Sequence, residues 1–89
     1  NNFDLPGPKN NVLKGHENYV LRILRFKENV LVSSSLDETL RFWSLDQGSC
    51  LRTIYMEKER ERYAWPLALL SNGILVSGQK DGYICFWKD

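Results

Sequence analysis

The chain has 89 residues, 43% of them hydrophobic, and a formal net charge of +1. This is one small domain's worth of ordinary globular composition, with no basic excess that would draw it to nucleic acid. No apolar run approaches the roughly 18 residues of a transmembrane helix. Residues 1–11 are polar, contain Pro and Gly, and lack the basic-then-apolar order of a signal peptide; the chain also starts without Met, so we expect a processed or excised piece.

Short strands bounded by turn residues are expected throughout, and no segment has a convincing helical pattern. Residues 11–14 (NVLK) read as a short leading strand ending at Gly15-His16. Residues 19–26 (YVLRILRF) form the next strand, with apolar Val20, Ile23, Leu24 and Phe26 separated by arginines. Lys27-Glu28-Asn29 turns the chain into 30–35 (VLVSSS), and Leu36-Asp37-Glu38 turns it into 39–44 (TLRFWS). Asp46-Gln47-Gly48 leads to a last strand at 50–55 (CLRTIY). The charged run 56–62 (MEKERER) reads as a solvated connector. Strands then follow at 63–70, 74–79 and 83–88, the first two joined by Ser71-Asn72-Gly73, a strong turn signal. Pro66 removes a ladder donor, so the strand around it is expected to be irregular. Arg22, Arg25, Arg41 and Arg52 are read as outward-facing charges on the strands.

The second half repeats the first. Ser33 and Ser77, Asp37 and Asp81, and Trp43 and Trp87 are each separated by 44 positions. That period lies in the roughly 40–45 residues of a four-stranded propeller blade. A sheet of this kind cannot bury both faces alone and must stack on a neighbour.

Gly15-His16, then Ser33, Asp37 and Trp43 in order, then Cys50-Leu51-Arg52-Thr53-Ile54, resembles a WD40 repeat. The resemblance spans essentially residues 9–89 and implies an all-β fold of WD40-type propeller blades: two four-stranded antiparallel blades, a partial propeller. The divisions expected are an N-terminal extension 1–11, a first blade with its leading strand 12–55, the connector 56–62, and a second blade 63–89 lacking its own outer strand. The resemblance also implies a buried structural tetrad of His16, Ser33, Asp37 and Trp43, with Ser35 an alternative to Ser33. Ser77, Asp81 and Trp87 match it in the second unit, where no Gly-His precedes Tyr63. Lys88 and Ser44 stand where the family usually has Asp after Trp, which does not threaten the fold.

His16, Ser33 and Asp37 also have the composition of a catalytic triad, but a triad needs an exposed nucleophile beside an oxyanion hole, and the tetrad's indole would cover the serine. No catalytic residue is assigned. Cys50 and Cys85 are far apart and only His16 could join them, short of the four ligands of a closed zinc site, so neither a metal nor a cofactor is expected. The resemblance implies partner binding through the face that would carry Tyr19, Leu21 and Leu36 of the first blade and Tyr63, Trp65 and Lys80 of the second. The function expected is a non-catalytic protein-interaction scaffold, with a substrate-recognition part of a ubiquitin-ligase adaptor as a narrower form. RNA binding within a ribonucleoprotein is an alternative of another class, disfavoured by the charge balance. Partners are proteins, and further blades come from the rest of a longer chain or from identical copies. No membrane contact is expected, and the compartment is cytoplasmic or nuclear.

Overall fold

The computed structural model describes residues 12–55, 66–78 and 82–88. Every strand or helix among them is a strand: β1 (Val20–Lys27), β2 (Val30–Ser35), β3 (Thr39–Ser44), β4 (Ser49–Tyr55), β5 (Leu67–Leu69), β6 (Leu75–Gly78) and β7 (Ile84–Trp87). They form two antiparallel sheets, β1-β2-β3-β4 and β5-β6-β7. The 44-residue offset holds pair by pair: Leu31 opposes Trp43 as Leu75 opposes Trp87, and Val32 opposes Phe42 as Val76 opposes Phe86.

The turns explain where the strands stop. At the β5–β6 connection Gly73 donates to the Leu70 carbonyl at 2.9 Å, Ile74 N–H donates to Asn72 Oδ1 at 3.2 Å, and Gly73 takes a φ of 88° that L side chains rarely adopt. The β1–β2 turn is tied to the β3–β4 turn: Leu45 N–H donates to the Asn29 carbonyl at 2.9 Å and Asp46 N–H to Asn29 Oδ1 at 3.0 Å. Leu51 has no opposite number in the β3–β4 ladder, where Phe42 pairs with Arg52 and Trp43 with Cys50, so β4 bulges beside the indole.

Alternation along the strands gives each sheet two faces. One face of the first sheet carries Leu24, Phe26, Val30, Val32, Leu40, Phe42 and Ile54, and the second sheet lays Leu67, Leu75 and Trp87 against it. Phe26 and Phe42 meet edge-to-face with centroids 5.2 Å apart. Strands β1 and β5, the first of each sheet, come together across this join. At the far end a cavity of about 260 Å³ opens between β4 and β7, lined by Phe42, Leu51, Ile54 and Trp87 with Arg52 and Lys88 at its side. The four-stranded sheet there faces a sheet with one strand fewer.

The first sheet has four strands, and the second has three among the described residues. Two expectations are corrected. Residues 12–14 form no strand. Arg41 is not an outward charge: it is half-buried and donates to Thr39 Oγ1 at 3.3 Å and Thr53 Oγ1 at 3.2 Å. Pro66 lies just ahead of β5, and its carbonyl accepts from Gly78 N–H at 3.0 Å. The extension 1–11, the connector 56–62, and Tyr63, Trp65, Lys80 and Asp81 lie outside the described residues.

Leu75 is fully buried at the join between the sheets. Leu75→Ala should lower stability by about 2–5 kcal/mol, whereas Leu69→Ala, on an exposed position, should change it by no more than about 0.5 kcal/mol. Urea unfolding followed by tryptophan fluorescence measures both.

Candidate functional site

The face of the first sheet turned away from the second carries a polar network. Ser33 lies on β2 and Trp43 on β3, and Trp43 Nε1–H donates to Ser33 Oγ at 2.7 Å. Ser33 Oγ is also 2.6 Å from His16 Nε2, and His16 Nδ1 is 2.9 Å from Asp37 Oδ2. The hydrogen positions follow from satisfaction. An indole N–H can only donate, so the serine oxygen accepts from it and sends its own hydrogen to His16 Nε2. The proton on Nδ1 then points to Asp37. The imidazole meets the indole edge-on at a centroid distance of 5.7 Å.

Asp37 is the most heavily bonded member. Its Oδ2 accepts from Glu17 N–H at 2.9 Å, and its Oδ1 accepts from Thr39 N–H at 2.9 Å and from the Thr39 hydroxyl at 2.6 Å. Burial alone would raise the Asp37 carboxyl; the Thr39 hydroxyl, the Glu17 amide, the His16 ring and the Thr39 amide together outweigh it and hold the group well below the usual carboxylate range. Ser35 joins from the other side, its hydroxyl donating to the Asn18 carbonyl at 3.2 Å and accepting from Asp37 N–H at 3.0 Å. Ser33 therefore bridges histidine to tryptophan, and Ser35 ties the turn to the entry loop. Glu38 completes the tight turn with a φ of 70°.

Gly15 is required by space. A Cβ on it would stand 2.9 Å from Trp43 Cη2 and 3.3 Å from Arg41 Nη1. Sequence reasoning marked Gly15 only as part of a motif and missed Thr39 altogether. The Asp-x-Thr spacing of an Asx turn was the available signal for Thr39.

In the second sheet Trp87 Nε1–H donates to Ser77 Oγ at 2.7 Å. Above the first network, Leu36 N–H donates to the Tyr19 carbonyl at 3.0 Å, which places the Tyr19 and Leu36 positions side by side. Tyr19 and Leu21 are exposed and Leu36 half-buried. Glu17, Asn18, Leu36, Asp37 and Glu38 line a hollow at this rim. Among the described residues, no group of His, Cys, Asp and Glu is placed to hold a metal ion.

Asp37 binds its proton more weakly in the folded chain than its ordinary value of 3.8. Its contribution is therefore fully present above pH 3.8 and is lost as the pH falls further. Asp37→Asn should cost about 3 kcal/mol at neutral pH. The gap between wild type and variant, read as urea midpoints from neutral to strongly acidic pH, should close below the ordinary carboxyl value. Gly15→Ala should cost about 1–3 kcal/mol in the same assay by pushing the indole edge.

Comparisons with known proteins agree with this geometry. Residues 7–44 match the family model described as WD40, "WD domain, G-beta repeat". The chain is 49% identical over 49 residues to F-box/WD repeat-containing protein 7 of Drosophila melanogaster, covering 55% of this chain and 4% of that protein. It is 41% identical over 46 residues to the probable E3 ubiquitin ligase complex SCF subunit scon-2 of Neurospora crassa, covering 52% and 7%. It is 34% identical over 79 residues to the nuclear distribution protein nudF of Emericella nidulans, covering 85% and 17%. The chain thus spans less than a fifth of the length of these relatives. Among solved structures, the computationally designed Ika4 protein matches with a TM-score of 0.61 at 29% identity, covering 84% of this chain and 44% of that one. The designed Ika8 protein matches with a TM-score of 0.63 at 28% identity, covering 86% and 23%. With a matched repeat, all-β blades at the matching period and WD-repeat relatives, the chain carries a WD40 repeat over residues 7–44.

Proposed function

We propose that the chain is a propeller segment that works as a non-catalytic scaffold, binding protein or peptide partners through the rim bearing Tyr19, Leu21 and Leu36. The observation that carries this reading is the pairing of exposed apolar side chains with an immobilised backbone. Tyr19 and Leu21 are open to solvent while the segment beneath them is fixed through Asn18, Ser35, Leu36 and the Asp37 network. Aromatic and aliphatic groups so held are typical binding hot spots. Tyr63, Trp65 and Lys80, which match Tyr19, Leu21 and Leu36 at the 44-residue offset, lie outside the described residues.

The network itself supports a structural role for the Ser33, His16 and Asp37 set. Ser33 is buried and covered by the Trp43 indole, so it has no approach for a substrate. The narrower reading, a substrate-recognition part of a ubiquitin-ligase adaptor, draws support from relatives named as F-box/WD repeat and SCF subunit proteins. The remaining blades come from the rest of a longer chain or from identical copies. The free thiols of Cys50 and Cys85 suit a reducing cytoplasmic or nuclear compartment.

Panning a peptide display library on the full chain tests the rim. Peptides selected on the wild type should bind the Tyr19→Ala/Leu21→Ala double variant at least about tenfold more weakly, since hot-spot truncations cost about 2 kcal/mol each. Peptides indifferent to that variant would refute the rim, and binding that fell steeply with salt would favour the RNA-binding alternative.

A further inference from the structure

Asn72-Gly73, the turn between β5 and β6, has no part in the rim or in the polar network. It is nevertheless a chemically reactive pair. The side-chain carbonyl carbon of an asparagine lies within reach of the next residue's main-chain nitrogen, and a following glycine offers no Cβ to obstruct the approach. When Gly73 nitrogen attacks Asn72 Cγ, a cyclic imide forms, the Cγ–Nδ2 bond breaks, and ammonia leaves with the proton that Gly73 gives up. Water then opens the ring at either carbonyl. One opening gives aspartate; the other gives isoaspartate, in which the main chain runs through the side-chain carbon.

The surroundings leave room for the ring. Asn72 and Gly73 are both exposed, and a Cβ on Gly73 would meet nothing within 4 Å. The closed turn, however, holds both reacting groups. Gly73 N–H donates to the Leu70 carbonyl at 2.9 Å, and Asn72 Oδ1 accepts from Ile74 N–H at 3.2 Å. A nitrogen that attacks must release its proton, and here that proton is bonded to Leu70. Leu70 clasps the turn a second time, its own N–H donating to the Ile74 carbonyl at 2.9 Å. The clasp covers little buried surface: residues 70–73 are exposed and Ile74 is half-buried. The ladder of Leu67, Ala68 and Leu69 with Ser77, Val76 and Leu75 lies beyond it. Opening the clasp therefore exchanges a few hydrogen bonds for water and leaves the core packed. Asn18 and Asn29 stand differently, since each precedes a residue with a bulky side chain, Tyr19 and Val30, and Asn29 is tied to Leu45 and Asp46.

We infer that Asn72 is a site of spontaneous deamidation, gated by local opening of the Leu70 clasp and not by unfolding of the chain. Both products place a carboxylate in the hollow that Asn72 lines with Lys27 and Lys88, where the amide is neutral. Isoaspartate also adds a methylene to the main chain inside the turn, so the span that Leu70 closes becomes one atom longer. The modification lies on the second sheet, whereas Tyr19, Leu21 and Leu36 belong to the first blade.

Ageing the full chain at neutral pH and following isoaspartate by peptide mapping tests this. The native wild type should accumulate isoaspartate at Asn72 and not at Asn18 or Asn29. In guanidinium chloride above the unfolding transition the rate at Asn72 should rise about tenfold, the protection that two hydrogen bonds give. Below the transition the rate should stay flat as denaturant is added, because a local opening exposes little new surface. Leu40→Ala, at a fully buried position of the other sheet, should leave the native rate unchanged, whereas gating by global unfolding would raise it at least about tenfold. Circular dichroism checks that this variant folds; the denaturant series on the wild type decides the same question without it. A native chain that stays unmodified, a native rate equal to the unfolded one, or a native rate that climbs with denaturant would overturn the inference.

Discussion

Ser33 Oγ has a single hydrogen and two ring nitrogens within 2.7 Å, and that mismatch orders the whole first blade. Only one direction of donation satisfies all members, running from the Trp43 indole through Ser33 and His16 to Asp37. The chain of bonds joins four separate pieces of backbone: the entry loop, β2, the β2–β3 turn and β3. Each member lies in a part-dry setting where an unmet donor would be costly, so the arrangement is held by the expense of every alternative rather than by the strength of one bond. Thr39 secures the carboxylate end by giving Asp37 both its amide and its hydroxyl.

The same strand serves the apolar core. In β2, Val30, Val32 and Ser34 point to one side and Leu31, Ser33 and Ser35 to the other, which is why burial runs almost unbroken along it. Where two sheets stack, the polar face of one meets the apolar face of the other. The Ser77–Trp87 bond is consequently enclosed by the first sheet's leucines and phenylalanines, and Ser77 is fully buried. A short polar bond of this type can be buried without penalty because its donor and acceptor satisfy each other, leaving the outer surface of the indole to pack as a hydrocarbon.

The repeat was legible because the residues that define it are chemically unusual for strands. A histidine after glycine, an aspartate in a tight turn and a tryptophan at constant spacing stand out, and the strand limits followed from Asn-Gly and Asp-containing turns. Thr39 was not singled out, and Ser35 only as an alternative to Ser33, since hydroxyl residues are common in strands and only their placement beside Asp37 gives them a task. Arg41 misled for a related reason: alternation assigned it to a solvent face, but that face carries the network, and its guanidinium is drawn in by Thr39 and Thr53. Residues 12–14 have strand-like composition, yet propensity for an extended backbone does not by itself make a strand.

The network reaches the rim under Tyr19 and Leu36. Association charges entropy for every segment that must be ordered. Here the ordering is done during folding: Tyr19 receives Leu36 N–H on its carbonyl, its own N–H reaches Asn18 Oδ1 at 2.7 Å, and the Asn18 carbonyl holds the Ser35 hydroxyl. The Tyr19 ring meanwhile remains outside the packed interior. Placed under the loops, the network rigidifies a part of the blade that the apolar core does not reach.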